Sequence, residues 1–310
     1  MSQAQHAASG RDPLWVVTGP TASGKTSLAL ELAARTGREV VSMDSMAVYR
    51  RMDIGTAKPT AADRARVPHH LVDVVDPSET FDTARWCALA EQALEGLRSA
   101  GKRALFVGGT PLYLMAFFKG MMEGPQADPE LRAALEARER AAPGALHEEL
   151  AARDPESAAR IHRKDTRRLV RALEVLELTG ETISSQQEQF AQVGWQRDCR
   201  VVWISREREE LHARVKARTE QMLDAGLVEE TRRIRDDGGF SRTAGAAIGY
   251  AECLDHLRGR WKDRTELRNR IRRNTHKLIR RQTTWLRRLP ELVRMSPVDG
   301  VEGLHARLRG

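Results

Sequence analysis

Residues 19–26 read Gly-Pro-Thr-Ala-Ser-Gly-Lys-Thr, which meets the spacing G-x-x-x-x-G-K-[ST] at Gly19, Gly24, Lys25 and Thr26. The flanks suit it: the apolar run Leu14–Val17 has the texture of a short buried strand, and Ser27–Ala33 that of the first turns of a helix. A strand, a Gly-rich loop and a helix N-terminus in that order turn backbone N–H groups and the positive end of the helix dipole on one anion. Gly19, Pro20, Thr21, Ala22, Ser23 and Gly24 would wrap the phosphates. Lys25 would act on the outer phosphate as a point charge, and the Thr26 hydroxyl would face Mg²⁺. The loop type is shared with nucleotide- and ATP-binding enzymes, so it establishes a phosphate ligand and leaves the reaction open.

The motif also constrains the fold. Val40–Asp44 predicts a second strand ending on an acid, Ala104–Val107 a third ending in Gly108-Gly109-Thr110, and Cys199–Ile204 a fourth. Helical patterns lie between them, one of them over Thr83–Ala100 and closed by Gly101. Strands alternating with helices predict an α/β fold with a parallel P-loop sheet flanked by helices. Ligands of such sheets bind beyond the carboxyl ends of the strands, which puts the phosphate loop, Asp44 and Thr110 on one rim. From 127 to 187 the texture turns to Ala/Arg/Glu/Leu with no strand candidate, opening at Asp128-Pro129-Glu130. The expected organisation is a disordered leader over 1–12, an α/β core over 13–126 and 188–310 with a C-terminal helical region, and an all-helical insertion domain over 127–187.

Among the 310 residues no apolar stretch is long enough to predict a membrane span, and Met1–Asp12 lacks the apolar segment of a signal peptide. Cys87, Cys199 and Cys253 are widely spaced and predict reduced thiols in a cytoplasmic protein rather than a metal site. The net charge of +8 points to a polyanionic partner.

A nucleoside-triphosphate hydrolase places an Asp at the end of a second apolar strand to organise Mg²⁺. Here the strand at 104–107 ends in Gly-Gly-Thr instead, and the acid follows the strand at 40–43. On the residues alone Asp44 is either a metal organiser or a general base facing the phosphates.

Several segments in order resemble one family, the tRNA dimethylallyltransferases. They are the phosphate loop itself, Asp44-Ser45-Met46-Ala47-Val48-Tyr49, Met52-Asp53-Ile54-Gly55-Thr56-Ala57-Lys58-Pro59, Pro68-His69-His70-Leu71-Val72-Asp73 and Gly108-Gly109-Thr110-Pro111-Leu112-Tyr113. Arg168–Val175, Ala247-Ile248-Gly249-Tyr250 and Arg281-Gln282-Thr283-Thr284-Trp285-Leu286 complete the set, which spans residues 14–289. The resemblance implies transfer of a dimethylallyl group from dimethylallyl diphosphate to N6 of adenosine 37, beside the tRNA anticodon, with Mg²⁺ as cofactor. The absent hydrolase acid then has a reason: the loop holds a leaving group, and no water need be activated. Lys25 and the loop would stabilise the diphosphate, Asp44 would take the proton of N6, and Thr110 would position the amine or a phosphate oxygen. The tRNA contacts implied are Asp44, Ser45, Met46, Ala47, Thr110, Arg132, Arg167, Arg168, Arg171, Lys277, Arg280, Arg281 and Gln282.

The chain departs from the family pattern at three places. Ala47 stands where many members carry Gln, which removes a base-edge contact. Ala246 stands where members usually carry Arg or Gln, the Arg being credited with diphosphate contact, so either another cation such as Arg242 substitutes or the site is weaker. Arg51 replaces a usual Gly and reads as a surface change.

Basic residues crowd the chain after residue 267: Arg268, Arg270, Arg272, Arg273, Lys277, Arg280, Arg281, Arg287 and Arg288, with no acid among them. Leu278, Trp285 and Leu286 predict the buried stripe of that helix. A second cluster, Arg163, Lys164, Arg167, Arg168 and Arg171, lies in the insertion at helical spacing. Both predict phosphate contacts to nucleic acid, and the expected partner is the anticodon stem-loop, held by a monomeric enzyme. His69-His70 reads as a structural or substrate-loop pair. The rival readings are an adenylate dimethylallyltransferase, which would not need the insertion, a P-loop small-molecule kinase, which would consume ATP, and a non-catalytic RNA-binding module, which leaves the phosphate loop unexplained.

Overall fold

The computed structural model describes residues 12–120, 124–125, 127–185, 194–261 and 263–309; the expected leader over 1–11 and the expected end of the insertion near 187 lie outside them. The chain forms two compact units, Met1–Phe118 with Arg197–Gly310, and Lys119–Gln196.

The first unit is built on a six-stranded sheet: β1 (Leu14–Thr18), β2 (Arg38–Ser42), β3 (His69–His70), β4 (Arg103–Gly108), β5 (Cys199–Ile204) and β6 (Val293–Met295). The order is β3-β2-β4-β1-β5-β6 and every pairing is parallel. The four predicted strands form the centre. The two edge strands, of two and three residues, are too short to show a period in sequence.

Alternation within the strands fills both faces. Trp15, Val17, Leu105, Val107, Val202 and Ile204 pack with Ala29, Leu32 and Ala33 of α1 (Lys25–Thr36) and with Leu304 and Leu308 of α13 (Gly300–Arg309). On the opposite face Phe106 meets Phe117 and Phe118 of α4 (Pro111–Phe118), and Trp86 of α3 (Thr83–Ser99) stacks on Tyr113 at 4.3 Å. Burying each such side chain is worth about 1.5–3 kcal/mol, which makes these faces the main source of the unit's stability. Sheets covered on both sides carry near-continuous apolar strands, as these do.

After β5 come α9 (Arg208–Asp224), α10 (Leu227–Asp236), α11 (Tyr250–Leu257) and α12 (Arg264–Leu286). The second unit holds α5 (Pro129–Ala141), α6 (Ala145–Arg153), α7 (Pro155–Arg160) and α8 (Thr166–Thr179), and all regular structure among its described residues is helical. It is wider than the expected 127–187. Asp128, Asp154 and Asp165 cap α5, α7 and α8, and Leu135, Leu146, Leu150, Leu169 and Leu173 form its core. Among the described residues no helix is long and apolar enough to cross a membrane.

Candidate active site

The phosphate loop leaves β1 and enters α1 through Gly24, whose φ of 90° and ψ of 8° favour a residue without Cβ. No side chain caps α1 and no acid stands in its first turn, so its N-terminal amides and dipole remain for an exogenous anion. Thr26 is exposed beside them.

Across β4 from β1, the ends of β2 and β4 are locked together. Met43 N donates to Val107 O at 2.8 Å and Thr110 N to Met43 O at 3.2 Å. Gly108 is required at this crossing, because a Cβ there would lie 2.2 Å from Met43 O. The lock puts Asp44 and Thr110 side by side. Asp44 Oδ1 accepts from Met46 N at 2.8 Å and Ala47 N at 3.3 Å, which fixes the carboxylate and leaves Oδ2 for another partner. Thr110 Oγ1 accepts from Ser45 N at 3.1 Å, so its hydroxyl shapes the Asp44 turn.

These pieces line one cavity of about 370 Å³: Thr21, Lys25, Thr26, Asp44, Ser45, Met46, Ala47 and Thr110 are all on its wall, with Arg218, Ala246, Ile248, Ile271, Leu278, Arg281 and Gln282. Burial pulls the Lys25 ammonium down to about 8, the Asp44 charge opposing the shift and Arg218 adding to it. Burial likewise lowers Arg218, again against the pull of Asp44. An entering anion relieves both.

The loop at 53–58 forms another wall and is held by a buried network. Glu230 accepts from Asp53 N at 3.2 Å and Ile54 N at 3.0 Å and takes the hydroxyl hydrogen of Tyr250, whose oxygen accepts from Gly55 N at 3.1 Å. Lys58, its side chain 1% exposed, bridges Asp53 at 2.7 Å and Asp73 at 2.6 Å. His69 lines the cavity with Nδ1 against Val67 O at 2.7 Å, and His70 pairs with Glu39 at 2.7 Å, which makes the pair part of the sheet edge.

Several of the residues expected to contact tRNA are bonded within the protein. Gln282, 8% exposed, is committed inside the protein: Oε1 accepts from Thr21 N at 2.9 Å and Nε2 donates to Gly109 O at 2.6 Å. Arg132 and Arg171 both bond Glu174, which is 0% exposed; burial would raise its carboxyl, but the two guanidinium groups and Asp128 N hold it below the usual range. They brace α5 against α8. Arg167 and Arg168 are exposed on α8, Arg168 pairing with Asp165 at 3.3 Å. On α12, Arg268 and Arg272 pair with Glu220 of α9, so the stretch is acid-free in sequence but not in space. Among the described residues Arg273, Lys277, Arg280, Arg281, Arg287 and Arg288 are exposed and make no ion pair. Leu286 is buried as expected, whereas Trp285 is 44% exposed and is not part of the stripe.

Arg218 was not anticipated. It contacts Thr21 Oγ1 at 3.5 Å and Thr56 O at 3.3 Å and brings to the cavity a cation that Ala246 lacks; Arg242 is not among the lining residues. A signal existed in the one-turn spacing of Arg214 and Arg218, but it is hidden in a helix full of charges. Arg51 adopts φ 64°, the left-handed region that glycine enters without cost, and pairs with Asp76 at 3.6 Å and with Asp237. Its replacement of a glycine is therefore a backbone matter, beyond a surface change.

Family models described as IPP transferase and isopentenyl transferase match residues 47–289 and 13–68. A tRNA dimethylallyltransferase of Anaeromyxobacter dehalogenans is 45% identical over 95% of this chain and 98% of its own. One from Thermotoga petrophila is 41% identical over 90% of each. Among solved structures, the tRNA isopentenylpyrophosphate transferase of Bacillus halodurans superposes with a TM-score of 0.67 at 37% identity, over 92% of this chain and 90% of that one. A eukaryotic dimethylallyltransferase acting on tRNA superposes with a TM-score of 0.76 at 25% identity, over 96% of this chain and 78% of that one. With the phosphate loop, the Asp44 turn and these matches along nearly its whole length, the chain belongs to the tRNA dimethylallyltransferase family.

Proposed function

We propose that the protein transfers the dimethylallyl group of dimethylallyl diphosphate to N6 of adenosine 37 in tRNA and releases diphosphate. The observation that carries this reading is one cavity holding the phosphate loop, Lys25 and Arg218 together with an Asp44 carboxylate oxygen left free. The allylic C–O bond breaks with its electron pair going to the diphosphate, where Lys25, Arg218 and the α1 amides meet the growing charge. Preorganised donors of this kind are worth about 2.7–4 kcal/mol each. N6 forms the new C–N bond and its proton passes to Asp44, which offsets the poor nucleophilicity of an amine conjugated with the ring. Ile248, Ile271 and Leu278 supply an apolar wall for the five-carbon tail.

Mg²⁺ suits the donor set. The described residues contain no cluster of three or more His, Cys, Asp or Glu, so a cation here relies on hard oxygens, the Thr26 hydroxyl and the phosphates. Bound there, it would neutralise charge on the leaving diphosphate.

The exposed cations of α12 supply phosphate contacts to the anticodon stem-loop, and Arg167 and Arg168 offer a second basic face on the helical unit. The target base leaves its stack at a cost of a few kcal/mol, which such contacts offset. Cys87, Cys199 and Cys253 are free, in keeping with a reducing cytoplasm, and a monomer suffices for the site.

Mass spectrometry of tRNA incubated with the enzyme, dimethylallyl diphosphate and Mg²⁺ tests the reading. A dimethylallyl mass gain on adenosine 37 supports it. Gain on free adenosine monophosphate instead, or ATP consumption without gain, would replace it with the nucleotide prenyltransferase or the kinase.

A further inference from the structure

Thr21 N and Ser23 N of the phosphate loop donate within the protein, to Gln282 Oε1 and Pro20 O, while the carbonyls of Ala22 and Ser23 turn toward α9 and the residues just before it. Two arginines wait there. Arg206 Nε donates to Ser23 O at 2.7 Å, and Arg214 Nε donates to Ala22 O at 2.7 Å. Ala22 is the strained member of the loop: it sits at φ 65°, a conformation that costs an alanine free energy and a glycine almost none. Its methyl is pinned between Leu211 and Val215 of α9 and Ile279 of α12, and its carbonyl is pinned by Arg214. Arg214 is itself exposed and makes no ion pair among the described residues, so its one directed bond is to this carbonyl. A guanidinium on the Ala22 carbonyl also polarises that peptide, which strengthens its Ser23 N–H as the donor that closes the loop's own turn on Pro20 O at 3.2 Å.

We infer that Arg214, with Arg206 beside it, is a positioning residue that keeps the phosphate loop in its anion-receiving shape by holding the carbonyl of left-handed Ala22. The inference rests on the proposed function only for the identity of the donor; the loop's affinity for diphosphate tests it separately. Without Arg214 the strain at Ala22 is no longer opposed by a charged hydrogen bond, and the loop spends less time in the receptive conformation. Substrate affinity falls by that lost fraction. A glycine at position 22 has no strain to release.

Full-length enzyme is titrated calorimetrically with inorganic diphosphate in the presence of Mg²⁺, and steady-state prenyl transfer is measured with each substrate varied. Arg214→Met is expected to weaken diphosphate binding and raise the KM for dimethylallyl diphosphate about tenfold, with kcat within about threefold and the KM for tRNA unchanged. Arg214→Lys, which keeps the charge without the Nε donor, is expected to show at least half of that effect on a logarithmic scale, with circular dichroism measured on both variants to check that the fold is intact. The decisive readout is the double variant. Ala22→Gly recovers about threefold of the affinity in the Arg214→Met background, a larger factor than the same substitution gives in the wild-type background. Unchanged diphosphate affinity in Arg214→Met, or the same factor from Ala22→Gly in both backgrounds, would overturn the inference. A wild-type enzyme that bound diphosphate but left tRNA unmodified would remove the proposed reaction, while the diphosphate titrations would still decide the role of Arg214.

Discussion

Gln282→Met removes a side chain that ties the phosphate loop to the Gly109-Thr110 turn while nearly preserving its length. Two backbone groups lose their partners: Thr21 N, now 2.9 Å from Oε1, and Gly109 O, now 2.6 Å from Nε2. An unpaired buried group costs about 1–3 kcal/mol. Both groups border a cavity that water enters, which places the sum near the low end, at about 2–3 kcal/mol. In a unit of this size that is a fall in Tm of roughly 5–10 °C, measured by calorimetry. Function should suffer on both sides of the clasp. Thr21 lies in the phosphate loop whose shape this bond holds, so on the proposed function the KM for dimethylallyl diphosphate should rise about tenfold. Thr110 follows Gly109 and fixes the Asp44 turn, so kcat should fall as well. Gln282→Glu keeps an acceptor for Thr21 N but sets a carboxylate oxygen against Gly109 O and a negative charge near the diphosphate, so its donor KM should exceed that of Gln282→Met. A Gln282→Met enzyme with wild-type Tm and donor KM, weakened only in tRNA binding, would refute the clasp and restore Gln282 as an RNA contact.

Asp44→Asn keeps an oxygen for Met46 N and Ala47 N but cannot accept a proton. Single-turnover transfer should slow by ~10²–10⁴ while diphosphate and tRNA binding persist, and near-normal transfer would remove the general-base role. The Lys25 ammonium, held at about 8 by burial, must be charged to meet the diphosphate, and the bound anion raises its pKa. Donor affinity should therefore be flat below about pH 7.5 and fall by up to tenfold per unit as pH rises past 8, while Lys25→Arg should flatten that profile. Charge removal in Arg280→Ala/Arg281→Ala should weaken tRNA binding and lower the slope of log K against log salt by about 1–2; an unchanged slope would take these two residues out of the interface.

Much of the site was legible because its chemistry is local in sequence. Eight consecutive residues hold the phosphate loop, and the rule that α/β ligands bind at strand ends was enough to bring Asp44 and Thr110 to it. Edge strands were not legible: the three residues of β6 are too few to carry a period. The side chains that hold the site in shape were not legible either. Gln282 meets Thr21 across 261 positions and Arg214 meets Ala22 across 192, and neither pairing leaves a mark in local pattern. Charge counting on α12 could not see Glu220, which reaches Arg268 and Arg272 from another helix, for the same reason.

By itself, then, the amino-acid order determined the parallel sheet, the phosphate-loop motif at its rim, the acid beside it and the family. Those follow from strand and helix periodicity and from backbone geometry that a few glycines and one lysine specify. The tertiary structure alone decided which cation stands in the cavity, what holds the strained Ala22, and that Gln282 is a clasp. Each depends on how α9 and α12 pack over the loop, with Leu211, Val215 and Ile279 closing on the Ala22 methyl. Packing of that kind is set by the shapes of side chains far apart in the chain, which no window of sequence contains.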